Sequence, residues 1–96
     1  MPAAVRLGDI SKGHPPFPPR ANDTASPNVF VNGIAWHRQS DHWLVHCAGP
    51  NCHDGVLVSG SPNVFVNNKQ AGRRNDPISC GDTTLQASPN VFANGS

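Results

Sequence analysis

The sequence has no tyrosine, one methionine, and only seven basic and six acidic side chains. Its formal net charge of +1 lacks the basic excess of a nucleic-acid-binding surface. No segment approaches the ~20 apolar residues of a membrane-spanning helix, and residues 1–10 lack the charged start and apolar run of a secretory signal peptide. We therefore expect synthesis in the cytosol, no nucleic-acid partner, and a route outward that needs no signal peptide.

Turn-forming residues are abundant instead. Ten prolines and nine glycines occur among 96 residues, of which 36% are hydrophobic. This composition favours short strands joined by turns and disfavours long helices. One domain over residues 1–96 would bury only about 60–65% of its unfolded surface. We therefore expect a further staple, such as a disulfide, a metal ion or an oligomeric partner.

One phrase, Ser-Pro-Asn-Val-Phe, occurs three times, beginning at Ser26, Ser61 and Ser88. Each copy continues through one apolar residue to an Asn-Gly or Asn-Asn pair, and such pairs favour two-residue hairpin turns. Three near-identical strands in so short a chain predict a mainly β, pseudo-threefold fold. Alternation along each strand places the phenylalanine on one face and the flanking residues on the other. Which face packs inside stays open.

The chain also contains three Arg-x-x-Asp segments, one near each repeat. A few residues after each aspartate comes a histidine or cysteine, which are residue types that bind metal ions. These candidate ligands are His14, His46 and Cys80, which lie five, five and four residues after Asp9, Asp41 and Asp76. A threefold arrangement would bring them together. Structural zinc takes four nitrogen or sulfur ligands, and the fourth is expected from residues 39–56, where we favour His53 and keep His42 as the alternative. A site closed by four protein ligands is structural.

Residues 39–56 are interpreted as an irregular segment, and they contain the other two cysteines, Cys47 and Cys52. Free, partly buried thiols are expected because the cytosol is reducing; a disulfide across the turn or metal ligation are the alternatives. Cys47 beside His46 could suggest a nucleophilic pair, but no oxyanion hole is evident, so we expect no enzyme.

The proline-rich residues 11–26 predict a rigid extended loop anchored by Phe17.

The sequence resembles the PAAR-repeat proteins, which are named for Pro-Ala-Ala-Arg. Residues 2–6 read Pro-Ala-Ala-Val-Arg, with one valine inserted, and residues 6–9 keep Arg-x-Gly-Asp. The three Ser-Pro-Asn-Val-Phe strands and residues 76–81, Asp-Pro-Ile-Ser-Cys-Gly, also match the family's pattern. The second and third Pro-Ala-Ala-Arg positions, at 34–38 and 69–73, have drifted. The likeness covers nearly the whole chain.

The resemblance implies a small cone that caps and sharpens a trimeric β-helical spike of the VgrG kind, one tip per trimer, in a type VI secretion system or a phage tail. It implies a zinc ion near the apex, held by three histidines and one cysteine, and a membrane-piercing role. Effector cargo is a possible partner, although we expect no effector extension here. The residues expected to meet the spike are Val29, Phe30, Val64, Phe65, Val91 and Phe92. A free-standing zinc-binding adaptor is the alternative.

Overall fold

The computed structural model describes residues 2–93, which form short strands and turns and no helix; none of this part of the chain could therefore span a bilayer as a helix. The body measures 38 × 26 × 23 Å. Six strands pair as three separate two-stranded antiparallel sheets, β1–β2, β3–β4 and β5–β6. The strands are β1 Phe30–Val31, β2 Ile34–Ala35, β3 His42–Ala48, β4 Asn51–Val56, β5 Phe65–Val66 and β6 Lys69–Gln70.

Two copies of the repeated phrase form matching hairpins, β1–β2 and β5–β6. Asn32 and Gly33 turn the first with φ of 55° and 75°, and Asn67 and Asn68 turn the second with φ of 53° and 65°. Positive φ at both central residues defines the type I′ turn, which matches the twist of the flanking strands. The two predicted turns are confirmed, and the corresponding pair of the third copy lies outside the described residues.

The three repeats are joined into a closed ring by backbone bridges from the arginine of each Arg-x-x-Asp segment. Arg6 bridges to Trp36, Arg38 to Ala71, and Arg73 to Ala4, so each repeat pairs with the next and the last returns to the first. This cyclic pattern gives the mainly β, pseudo-threefold fold that the sequence predicts.

Each Arg-x-x-Asp segment closes its own turn by the same contacts. The aspartate accepts the backbone N–H of the arginine three residues earlier, at 2.7–2.8 Å, and also pairs with that arginine's guanidinium. The pairs are Arg6–Asp9, Arg38–Asp41 and Arg73–Asp76, at 3.0, 2.9 and 3.1 Å. All three aspartates are buried, so the motif satisfies polar groups that would otherwise be costly inside the body.

The hydrophobic core is small. Val5, Trp43, Leu57 and Ile78 form its buried cluster. In the repeats, the residue after each phenylalanine points inward: Val31, Val66 and Ala93 are buried. The phenylalanines point outward, which answers the question that alternation left open; Phe30, Phe65 and Phe92 are 58%, 55% and 49% exposed.

The interpretation of residues 39–56 as irregular is wrong. They form the longest hairpin of the described chain, β3 paired with β4, with Trp43 opposite Gly55 and His46 opposite His53. A β-bulge between Trp43 and His46 interrupts the register. The bulge and the histidines at inward positions break the apolar alternation that would have indicated strands.

Residues 2–10, 57–58 and 83–86 pair mostly through single bridges and not as continuous strands. The N-terminal segment changes partner at almost every residue: Ala3 bridges to Phe92, Ala4 to Arg73 and Arg6 to Trp36. A segment that is shared among three neighbours cannot form a continuous ladder with any of them.

Candidate metal centre

Four predicted ligands converge in the structure. One ligand atom from each of His14, His46, His53 and Cys80 lies within 4.8 Å of all the others. The three histidine Nε2 atoms are closest, at 3.2 Å between His14 and His46, 3.1 Å between His14 and His53, and 2.7 Å between His46 and His53. A His₃Cys group that could hold a metal ion is therefore present.

The β3–β4 hairpin supplies two of these ligands as a direct cross-strand pair, His46 opposite His53. Their side chains share one face because residues opposite each other in an antiparallel pair project to the same side. His14 comes from the proline-rich loop, and Cys80 comes from a tight turn in which the Gly81 N–H donates to the Ile78 carbonyl at 3.0 Å. Gly81 has a φ of 97°, which favours glycine.

The donor set fits a bound cation. The Nδ1 of His46 lies 2.7 Å from the Pro18 carbonyl oxygen. A carbonyl can only accept, so Nδ1 carries the proton and Nε2 presents a lone pair to the other two imidazoles. Zinc–nitrogen bonds of about 2.0–2.1 Å in a tetrahedron place nitrogens about 3.3 Å apart. The observed spacing of 2.7–3.2 Å is somewhat shorter than that, so the three nitrogens would move slightly apart around a central cation.

Phe17 packs against all three imidazoles, with centroid distances of 4.9 Å to His14, 5.0 Å to His46 and 4.2 Å to His53. The anchor predicted for the proline-rich loop therefore covers the ligand cluster. Gly13 permits this loop to close: its φ is 77°, and a Cβ there would lie 2.8 Å from the Pro19 nitrogen and 2.9 Å from the Phe17 carbonyl oxygen.

His42, the alternative fourth ligand, lies outside the cluster. Its Nδ1 is 2.6 Å from Asp23 Oδ1 and its Nε2 is 2.9 Å from Asp54 Oδ2. The hydrogen bonds to Asp54 and Asp23 raise the pKa of His42 above its ordinary value. An imidazole that donates from both nitrogens has no lone pair for a metal, so the structure favours His53 over His42 in this position.

Cys47 and Cys52 form a disulfide, with their Cα atoms 4.1 Å apart. The expectation of free thiols is wrong because the two residues face each other directly across the β3–β4 hairpin. This pair is adjacent in register to the His46–His53 pair. The disulfide therefore holds the two strands together next to two of the candidate ligands. Among the described cysteines, Cys80 is free and half-buried.

The six residues predicted to meet a spike occupy equivalent places in the three repeats. Val29, Val64 and Val91 are half-buried, each beside its exposed phenylalanine. Each of these phenylalanines is about half exposed to solvent, which is unusual for a residue that large and apolar.

Hydrogen bonds between serine and asparagine side chains connect the repeats, and the sequence analysis did not single these residues out. Ser26 donates to Asn67 Oδ1 at 2.6 Å, and Asn67 Nδ2 donates to Asn28 Oδ1 at 2.9 Å. In the same way, Ser88 donates to Asn32 at 2.6 Å and Asn32 donates to Asn90 at 2.8 Å. Among residues 2–93, the first asparagine of both hairpin turns, Asn32 and Asn67, thus binds the Ser-Pro-Asn of a neighbouring repeat. The signal was visible in the sequence, because these polar positions recur in each copy.

Comparison with known proteins gives one family and one curated relative. The family model described as the PAAR motif matches residues 8–86. The chain is also 35% identical over 74 residues to the double-stranded DNA deaminase toxin A of Burkholderia cenocepacia (strain H111). The aligned region covers 75% of this chain but only 5% of that toxin, so the chain spans a small fraction of its relative's length.

Proposed function

This chain belongs to the PAAR motif family, and we propose that it forms the tip of the central spike of a contractile injection machine, where one copy caps a trimeric β-helical spike protein. The observation that carries this proposal is the threefold set of exposed phenylalanines, Phe30, Phe65 and Phe92. One chain thus presents the same apolar side chain three times. A symmetric trimer has three identical binding surfaces, so a single partner can contact all of them only if it offers three similar contacts. The role is mechanical, and none of its parts needs a catalytic residue.

The hairpin contacts described above support a rigid docking surface. Asn32 and Asn67 tie each turn to a neighbouring repeat, and Arg38 Nη1 also donates to Asn67 at 3.1 Å. These bonds fix the hairpins relative to one another before any partner arrives. Pre-arranged side chains lose little conformational entropy on binding, so more of the apolar contact contributes to affinity.

We further propose that the bound ion is zinc, held by His14, His46, His53 and Cys80. Three imidazoles and one thiolate suit a borderline-soft ion in a closed tetrahedral site. When bound, zinc would crosslink segments that are far apart in the sequence, which the small core needs. The ion is thus a structural staple for the narrow end of a tip that must bear force.

Assembly would deliver this tip outward on a type VI secretion spike or a phage tail, from a chain made in the cytosol. The relative is named as a toxin, of which the matching region is a small part. A module of this kind can therefore be joined to a much larger effector, and we propose effector cargo as a second partner, besides the membrane that the tip contacts mechanically.

The proposal is tested by mixing the chain with a purified trimeric β-helical spike protein and measuring the mass of the complex. We expect one tip per trimer for the wild-type chain. The triple variant Phe30→Asp, Phe65→Asp and Phe92→Asp should lose this binding, because three carboxylates would be placed against an apolar interface.

A matched control places the same number of carboxylates on apolar residues that are also exposed but lie outside the repeats. Ile10, Leu44 and Val45 are 43%, 43% and 58% exposed, and their combined change to aspartate should leave spike binding intact. Equal binding by both triple variants would contradict the phenylalanine surface. Zinc binding without any complex with a spike would instead favour the free-standing adaptor.

A further inference from the structure

One buried cation lies beside the candidate metal centre without being one of its ligands. The side chain of Arg20 is only 5% exposed. Its guanidinium donates to three groups on two other segments: the Leu44 carbonyl at 2.9 Å, and the Asp82 carboxylate and, at 3.1 Å, the Cys80 sulfur. A buried charge is costly unless it is paired and hydrogen-bonded. Arg20 is paired with Asp82, and each of its three guanidinium nitrogens has an acceptor.

We infer that Arg20 is the positioning residue of the metal centre, holding the Cys80 sulfur toward the three imidazoles and donating a hydrogen bond to it when it binds the ion. This inference rests on the proposed zinc site. A guanidinium has donors and no acceptor, so Cys80 must be the acceptor in this contact. A metal-bound thiolate is a far better acceptor than a thiol, and a charged donor strengthens the bond further.

Asp82 makes a cation tolerable at this place. A zinc ion with three neutral histidines and one thiolate carries a net charge of +1, which an uncompensated guanidinium would repel. The Asp82 side chain is 0% exposed, pairs with Arg20, and accepts the Thr83 N–H at 2.7 Å through its other oxygen. The Arg20–Asp82 pair is therefore neutral as a unit, yet it directs its donor at the sulfur.

The backbone around Arg20 is fixed as well. The Ser11 hydroxyl accepts the Arg20 N–H at 3.2 Å, and the Ser11 N–H donates to the Arg20 carbonyl at 2.9 Å. Two residues earlier, the Pro18 carbonyl accepts from His46 Nδ1. Residues 18–20 therefore orient two of the four ligands, one through a carbonyl and one through a side chain.

Gly55 leaves the space that the guanidinium occupies. A Cβ on Gly55 would lie 3.2 Å from Arg20 Nη2 and 2.9 Å from a methyl carbon of Ile78. The absence of a side chain at this β4 position thus lets the guanidinium lie against the hairpin and reach Cys80.

The test compares Arg20→Met, which keeps the bulk and removes the donors, with Arg38→Met as a control. Arg38 also forms an ion pair, with a side chain 13% exposed, but its guanidinium donates to Asp41 and Asn67 and does not donate to Cys80. Zinc affinity is measured by competition with a chelating dye. The thiolate-to-cobalt charge-transfer band is recorded on the cobalt-loaded chain, because a hydrogen bond to sulfur lowers the energy of its lone pairs.

We expect Arg20→Met to weaken zinc binding about 10–100-fold and to move the charge-transfer band to longer wavelength, while Arg38→Met leaves both near wild type. Arg20→Lys keeps a cation beside Asp82 but loses the planar fork; it should fold more like wild type and still show the shifted band. An unchanged band and affinity in both Arg20 variants, or equal changes in Arg38→Met, would overturn the inference alone. A wild-type chain that binds neither ion would overturn the proposed zinc site itself.

Discussion

Acidification should destabilise this protein through one histidine that is not a candidate ligand. His37 is completely buried, its Nδ1 lies 2.8 Å from the Thr24 carbonyl oxygen, and its Nε2 has no hydrogen-bond partner. Its ring packs edge-on against Trp43, with centroids 5.1 Å apart. Burial lowers the pKa of His37 from 6.5 to about 4, because protonation would leave an imidazolium charge without water.

The sign and size of the effect follow from linkage. Above pH 6.5 neither the folded nor the unfolded chain protonates His37, and the stability is complete. Between pH 6.5 and 4 only the unfolded chain takes up the proton, so the free energy of unfolding falls by about 1.4 kcal/mol per pH unit. The loss reaches about 3 kcal/mol near pH 4 and then levels off, since the folded chain is protonated as well.

Urea unfolding followed by tryptophan fluorescence at several pH values between 7 and 4 measures this loss. The comparison is with His37→Asn, which keeps a donor for the Thr24 carbonyl and cannot titrate in this range. Both proteins are saturated with zinc and contain the same ligand histidines, so the difference between their pH slopes isolates His37. We expect the variant to be less stable at pH 7 but flatter with pH; parallel slopes would refute the reasoning.

Three further predictions concern the staples and the close backbone contacts. Cys80→Ser, or a strong chelator, should lower the melting temperature by at least about 10 °C, because about 1 kcal/mol corresponds to 4–8 °C in a domain of this size; an unchanged melting temperature would exclude a structural metal. Replacing Cys47 and Cys52 with serine should cost about 2 kcal/mol of chain-entropy stabilisation and weaken zinc binding by loosening the neighbouring ligand pair, measured by urea unfolding and dye competition; unaltered zinc affinity would show that the disulfide does not support the ligands. Gly60→Ala should cost at least about 2 kcal/mol, because its Cβ would lie 2.2 Å from the Ala71 carbonyl oxygen, whereas Gly33→Asn, with open space and an asparagine at the equivalent position 68, should be nearly neutral.

The repeated phrase made much of this fold predictable. Local signals such as Asn32-Gly33 and Asn67-Asn68 act over two residues, and their turns form as expected. Three of the ligand candidates, His14, His46 and Cys80, were found by a different means, from matching offsets after each aspartate, whereas His53 was the favoured choice within residues 39–56. A periodic sequence predicts which residues are equivalent, and in a ring that closes on itself equivalent residues also come close together.

The β3–β4 hairpin was not predictable in the same way, because its inward positions serve the ligand cluster. Trp43 and His46 both point inward across a bulge, so the period of two is broken between them. Free thiols were predicted for Cys47 and Cys52 because the cytosol is reducing. The disulfide depends instead on the strand register, which places the two residues opposite each other.

The contacts around Arg20 show a further limit. Its partner Asp82 lies 62 residues away along the chain, and no local pattern relates the two. A buried ion pair has no periodic signature, since its partners are chosen by the final packing. The outward orientation of Phe30 was also left undecided by the sequence. Alternation assigns residues to two faces of a strand but does not show which face is exposed to solvent.

The bridge between Ala3 and Phe92 affects the order in which parts of this fold can form during synthesis. The Ala4 N–H donates to the Val91 carbonyl at 2.9 Å and the Ser88 N–H to the Ala4 carbonyl at 2.7 Å, so residues 3 and 4 pair with residues that are synthesised about 85 positions later. At about 5–20 residues per second the N-terminal segment waits several seconds without these partners. The β3–β4 hairpin, whose contacts are local, can form during that interval. A partly synthesised domain therefore has a hairpin with two candidate ligand histidines but no closed ring, and the ring closes only after residues 88–92 emerge.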